Sequence, residues 1–261
     1  MRKITANATH AVATLAITAA AVITAFALPL PAQALTITLS TGSGDMIVGS
    51  GKEVGVARQV GAFSALRLDS SVDVQARQGA TPSVTVRADD NIEPLIETAV
   101  DGETLVVRMK KGTSFRTHHK VVVDVVFTSL TSVQQRGSGD LHIDRISGPK
   151  FESSISGSGD LQIENAQVGA FALSIAGSGD VVVSGTADEA RFGIAGSGDI
   201  NARNFATKQV SVSNSGSGDA HVTATEMLEA KVAGSGDVTY SGHPRDVSRR
   251  VSGSGSVEAS N

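Results

Sequence analysis

From Leu141 onward the chain alternates apolar and polar residues in short runs that return about every 20 positions. One set of runs comprises Leu141-His142-Ile143, Leu161-Gln162-Ile163, Val181-Val182-Val183, Ile200-Asn201-Ala202, Ala220-His221-Val222 and Val238-Thr239-Tyr240. A second set carries Phe151, Phe171, Ala190, Val210, Leu228 and Val247, each followed four residues later by Ile155, Ile175, Ile194, Asn214, Val232 and Val251. A period of two with many β-branched residues predicts strands with one buried face, so each unit should hold two short strands. Asn214, alone in an apolar column, should bond to backbone or mark a bulge.

Between the runs stands a fixed motif. Within the repeat region GSGD begins at Gly137, Gly157, Gly177, Gly196, Gly216 and Gly234, and a variant GSGS begins at Gly253, giving spacings of 20, 20, 19, 20, 18 and 19. The residue before each of the last six motifs, Ser156, Ala176, Ala195, Ser215, Ala233 and Ser252, is always small. Like residues at equal offsets are expected where each unit stacks directly on the last, about 4.8 Å away. An antiparallel meander would not make them neighbours, and a propeller blade needs about twice the period. The pattern therefore predicts an all-β fold: a parallel β-helix, or β-solenoid, with coils of about 20 residues over 136–261, preceded by a less regular β-rich half over 35–135.

A solenoid turns sharply at the same place in every coil. The glycine pairs Gly137 and Gly139, Gly157 and Gly159, Gly177 and Gly179, Gly196 and Gly198, Gly216 and Gly218, Gly234 and Gly236 are read as structural turns. Glycine can adopt positive φ and also lets neighbouring coils approach closely. The same stacking sets Asp140, Asp160, Asp180, Asp199, Asp219 and Asp237 in a row about 5 Å apart. Like charges at that spacing need backbone or hydroxyl donors, solvent, or a cation between coils. Two carboxylates so placed also resemble a retaining glycosidase pair. An active site is built once, however, while this spacing recurs in every coil, so the row reads as structural, with a calcium ladder as the alternative.

The earlier part is also β-rich. Phe63 to Ala76, Ser83 to Arg87 and Leu105 to Met109 alternate, Gly79 to Pro82 reads as a turn, and Asp101-Gly102 as a hairpin turn. Asn91 to Glu97 predicts a helical turn or two, capped by Asn91, with Pro94 near its start. Lys120 to Phe127 is apolar enough for a strand covered on both faces. Residues 1–34 look like a signal peptide: Arg2 and Lys3, an apolar run over 11–30, and Ala32-Gln33-Ala34 as the cleavage pattern. No second run is long enough to span a bilayer after cleavage.

The formal charge is −4, and loss of the leader would make the chain two charges more acidic, which argues against nucleic acid as a partner. With no Cys and no Trp, and Tyr240 the single tyrosine, neither disulfides nor an aromatic sugar-stacking groove is expected. His142 and His221 share an offset but lie four coils apart, too far to share a metal. His118-His119 has no carboxylate close in sequence, and Arg245, Arg249 and Arg250 read as a solvated end. No nucleophile elbow, phosphate loop or HExxH motif is present, and no cofactor is called for.

Three stretches together resemble a bacterial family known as "putative auto-transporter adhesin, head GIN domain": RQVGAFSALRLDSSVDV at Arg58 to Val74, ADDNIEPLIETAVDGETLVVRMKKG at Ala88 to Gly112, and the GSGD series through GSGDVTYSGHPRDVSRRVSGSGSV at Gly234 to Val257. The resemblance implies an exported, periplasmic or cell-surface β-helical domain and carries over no catalytic residue. The function expected is a non-enzymatic, adhesin-like scaffold for a macromolecular partner. A polysaccharide-active enzyme and a calcium-binding solenoid are the alternatives. Open solenoid ends would allow self-association.

Overall fold

A computed structural model describes residues 46–260; the leader expected over 1–34 lies outside them. No helix among the described residues is long and apolar enough to cross a membrane. In chain order the strands are β1 (Met46–Val48), β2 (Glu53–Arg58), β3 (Ala65–Asp69), β4 (Asp73–Gln78), β5 (Ser83–Asp89), β6 (Ile96–Asp101), β7 (Thr104–Met109), β8 (Ser114–Arg116), β9 (Val122–Phe127) and β10 (Ser132–Gln135). The repeat region follows with β11 (Leu141–Ile155), β12 (Leu161–Ile175), β13 (Val181–Ile194), β14 (Ile200–Asn214), β15 (Ala220–Val232), β16 (Val238–Ser241), β17 (Asp246–Val251) and β18 (Val257–Ala259).

The repeat region is a β-solenoid. Each of β11 to β15 runs from one GSGD corner to the next as a single bent strand of 13 to 15 residues, where the alternation suggests two short ones. Hydrogen bonds to the coils on either side hold the middle of the unit extended, which the weak alternation there does not reveal. Pairing is parallel and in register: Leu141 faces Leu161, Phe151 faces Phe171 and Ile155 faces Ile175, and the columns continue upward. The shorter 18-residue spacing is absorbed by irregularities between Ala202 and Gln209. The columns fill the interior. Phe151 and Phe171 stack with ring centroids 5.7 Å apart, and where Ala190 shortens that column Phe192 and Phe205 close on Phe171, at 5.9 and 5.0 Å. Each fully buried aromatic contributes about 2–3 kcal/mol by leaving water.

Stacking extends below the repeat. β10 pairs with β3 and β11 with β4, both parallel, so Ala65 to Gln78 is one more coil under the first GSGD. Beneath it β7 pairs with β3 and β9 with β4. The direction then reverses: β6 lies antiparallel to β7 through a hairpin at Gly102 (φ 61°), and β5 and β2 add antiparallel beyond β9. The link from β5 to β6 crosses the end of the core, burying Ile92 and Ile96. Its helical turn is a short 3-10 segment, Glu93–Leu95, with Pro94 in its first turn as expected. Asn91 is not its cap; the Asn91 side chain instead accepts from the Ser50 N–H and donates to the Val48 carbonyl. Glu93 is tied to Arg58 of β2.

The other end is built differently. β17 pairs only with β15, and β18 only with β16, among the described residues. All six residues of β17 are exposed. Arg249 stands in a column occupied lower down by Leu173, Phe192, Val212 and Ala230. Its guanidinium lies over the Tyr240 ring, 5.1 Å from the centroid, and donates to the Tyr240 hydroxyl. Arg249 thus covers the last interior side chains, where the sequence suggested only a solvated charge.

Candidate functional site

The GSGD corners form one column, and their geometry explains each letter of the motif. None of the glycines in that column has positive φ. Their requirement is proximity alone: a Cβ on Gly157 would stand 1.8 Å from the Gly137 carbonyl oxygen, and one on Gly177 1.9 Å from that of Gly157. Chain direction makes this contact one-sided, because each glycine meets the coil below it. The aspartates act in the opposite sense. The N–H of Asp160 donates to the Asp140 carboxylate at 3.0 Å, and the same bond recurs from Asp180, Asp199, Asp219 and Asp237 to the aspartate below, at 2.7–2.8 Å. Each carboxylate serves the coil above.

This polarity identifies a corner that lacks the glycines of the motif. Ser70-Ser71-Val72-Asp73 lies directly under Gly137-Ser138-Gly139-Asp140: the Asp140 N–H donates to Asp73 at 2.9 Å, and the Ser138 and Ser71 hydroxyls are 3.0 Å apart. No described corner lies tight beneath it, so Ser70 and Val72 can replace glycines, while the aspartate is kept. At the other end the crowding from below persists, so Gly253 and Gly255 remain, but no described coil lies above and Ser256 replaces aspartate. Inside the corners Gln135 and Asn214 each donate to a carbonyl four residues on, Gly139 and Gly218, at 2.7 Å. Asn214 also accepts from the Gly216 N–H at 3.0 Å, so it bonds to backbone as its place in the column requires.

Where the lowest coil lacks a GSGD corner, residues 110–121 make an excursion containing β8, which pairs parallel with β1. Three one-off features gather there. Lys120 pairs with Asp73 at 2.6 Å, placing a cation at the foot of the aspartate column; that carboxylate raises the Lys120 pKa. Asp89 of β5 is fully buried and accepts from His119 Nδ1 at 2.6 Å, the His118 N–H at 3.1 Å and the Thr117 hydroxyl at 3.1 Å. These bonds, His119 foremost, hold its pKa at about 2, and the carboxylate raises that of His119. A carboxylate does therefore stand beside the histidine pair, brought from β5 and invisible to sequence proximity. Among the described residues no group of three or more His, Cys, Asp or Glu is arranged to hold a metal.

The third feature is a cleft of ≈ 500 Å³ bordered by Lys110, Lys111 and Arg136 together with Ser71, Ser138 and Asp69. Among the described residues none of those three cations forms an ion pair. Nearby, the outer face of the sheet carries a shallow depression of ≈ 510 Å³ floored by small side chains, Ser154, Ala172, Ser174, Gly193 and Ser211, with Glu152 and Arg191 at its sides. The predicted histidines play other parts. His142 sits 3.2 Å from Glu164, and His221 lies on β15, distant along the stack.

Residues 62–244 match the family model described as "putative auto-transporter adhesin, head GIN domain". The chain belongs to that family. Among solved structures this head GIN domain is similar to a "putative adhesin" from Bacteroides fragilis, with 27% identity and a TM-score of 0.79 over 82% of this chain and 100% of that one. It is also similar to a "putative lipid binding protein" from Parabacteroides distasonis, with 25% identity and a TM-score of 0.68 over 83% and 100%. A "putative adhesin" from Parabacteroides merdae, 24% identical with a TM-score of 0.64 over 83% and 100%, shares the fold. No curated protein matches the chain. The head GIN domain is thus an adhesin-like β-solenoid module, of a family described by adhesion and not by an enzymatic reaction.

Proposed function

We propose that this head GIN domain is an exported, non-enzymatic scaffold that holds a macromolecule of the cell surface against the outside of its solenoid. The observation that carries the reading is a division of labour among its polar groups. The repeated aspartates are bonded to backbone in every coil, so the motif serves the fold. Three cations that form no ion pair among the described residues, Lys110, Lys111 and Arg136, are gathered in one cleft. Unpaired cations beside hydroxyls suit an anionic or hydroxyl-rich surface polymer, and the flat floor of small side chains next to them lets an extended chain lie close. Membership of an adhesin-described family supports export and a surface partner.

The test is sedimentation of the purified mature domain with washed bacterial cells and with polysaccharide extracted from their surface. Binding should fall at least tenfold for Lys110→Glu with Lys111→Glu, and for Ser174→Arg in the depression. Lys208→Glu, paired with Asp188 elsewhere, should bind as the native protein does. Equal binding by all variants would place contact elsewhere, and turnover of the polysaccharide would replace the scaffold reading with an enzymatic one.

A further inference from the structure

The two ends of the solenoid are not alike. One ends in the reversed strands β6 and β2, each with a single partner among the described residues, and in the crossing segment that buries Ile92 and Ile96. The other presents β17 with no strand on its outer edge among the described residues, and with Val247 and Val251 39% and 44% exposed in columns that are buried lower down. A six-residue strand edge with unpaired N–H and C=O groups is a template for another strand.

The sequence of that edge is self-complementary. In β17, Asp246, Ser248 and Arg250 align with the outward residues Met227, Glu229 and Lys231 of β15, while Val247, Arg249 and Val251 align with the inward Leu228, Ala230 and Val232. Two copies meeting end to end at this edge run antiparallel, and opposed residues must lie on the same face. Centring the pair on Ser248 sets Asp246 of each copy opposite Arg250 of the other. Centring it one residue further opposes Arg249 to Arg249. Neither Asp246 nor Arg250 forms an ion pair within the chain among the described residues. Ser256 adds a second argument: the corner has lost the aspartate that would serve another parallel coil, so this end is not shaped for head-to-tail continuation.

We infer that β17 is the interface of a twofold dimer, in which two copies pair antiparallel about Ser248 with reciprocal Asp246–Arg250 contacts. Because a twofold interface uses the same surface of both copies, pairing consumes it and growth through β17 stops at two. The inference stands independently of the adhesin-like reading.

The chain has no cysteine, which makes the test direct. Ser248→Cys should oxidise to one covalent dimer, since opposed residues of antiparallel strands lie within disulfide reach. Sedimentation equilibrium of the mature chain should show monomer and dimer only. Arg250→Asp and Asp246→Arg should each weaken dimerisation at least tenfold, and the double exchange should restore it, with circular dichroism confirming that all variants fold. A monomer at every concentration, a covalent ladder beyond two, or failure of the double exchange would overturn the inference. So would a monomer with slowly exchanging β17 amides, which would mean that another part of the same chain covers the edge. Cell sedimentation of the same variants reports the adhesin-like activity separately.

Discussion

The N–H of Ser256 donates to the Asp237 carboxylate at 2.7 Å, as the last bond of a column that begins with Asp140 on Asp73. Ser256 itself has no described coil to serve. The glycines of that final corner are still needed, because the coil beneath has not gone away, and at the first corner the situation is inverted. Motif letters that look interchangeable therefore act on opposite neighbours, glycine downward and aspartate upward.

Corner glycines should accordingly differ from their positional equivalents at the base. Gly177→Ala puts a methyl where a carbonyl oxygen stands 1.9 Å away, so the stack must open; a loss of more than about 3 kcal/mol in urea unfolding is expected. Ser70→Gly, at the same position of the first corner, should change stability by less than about 1 kcal/mol.

The aspartate column makes a second prediction. Asp180→Ala leaves the Asp199 N–H without its acceptor and should cost about 1 kcal/mol, whereas Asp180→Asn retains an oxygen and should cost less. Since each carboxylate already accepts a backbone N–H, millimolar calcium should leave the melting temperature unchanged. A rise of several degrees would instead establish a cation ladder.

Protonation should act through Asp89 and His119. Asp89 has its pKa lowered to about 2, so its contribution is present above the ordinary carboxylate range and is lost as pH falls through about 2. His119 has a raised pKa, so its contribution is complete below the ordinary imidazole value near 6.5 and is lost as pH rises through the elevated one. The pair should stabilise most between about pH 4 and 6.5. The difference in melting temperature between the native protein and His119→Ala should peak in that window and shrink above it. A flat difference would show that the imidazole acts by packing alone.

Arg249 covers the open end, so Arg249→Ala should expose Tyr240 and lower the melting temperature, with faster amide exchange confined to β16 to β18. Arg245→Ala, which leaves the ring covered, should do neither.

Much of this molecule is written along the chain. The period, the stacked columns and the corner motif specify coils of known length because a parallel stack repeats the same environment at each step, and like environments select like residues. Asn214 could be read as a backbone ligand for the same reason. What the sequence could not disclose lay where the environment changes. The Ser70–Asp73 corner drops its glycines because no described corner crowds it from beneath, and so leaves the pattern that would reveal it. Asp89 and His119 are 30 residues apart and meet only because β5 is laid against the excursion that replaces a corner. Lys110, Lys111 and Arg136 form one cleft for a similar reason. Periodicity is a local signal that survives in one dimension; the meeting of groups from dissimilar coils is set by how the stack begins and ends, and only the folded chain decides that.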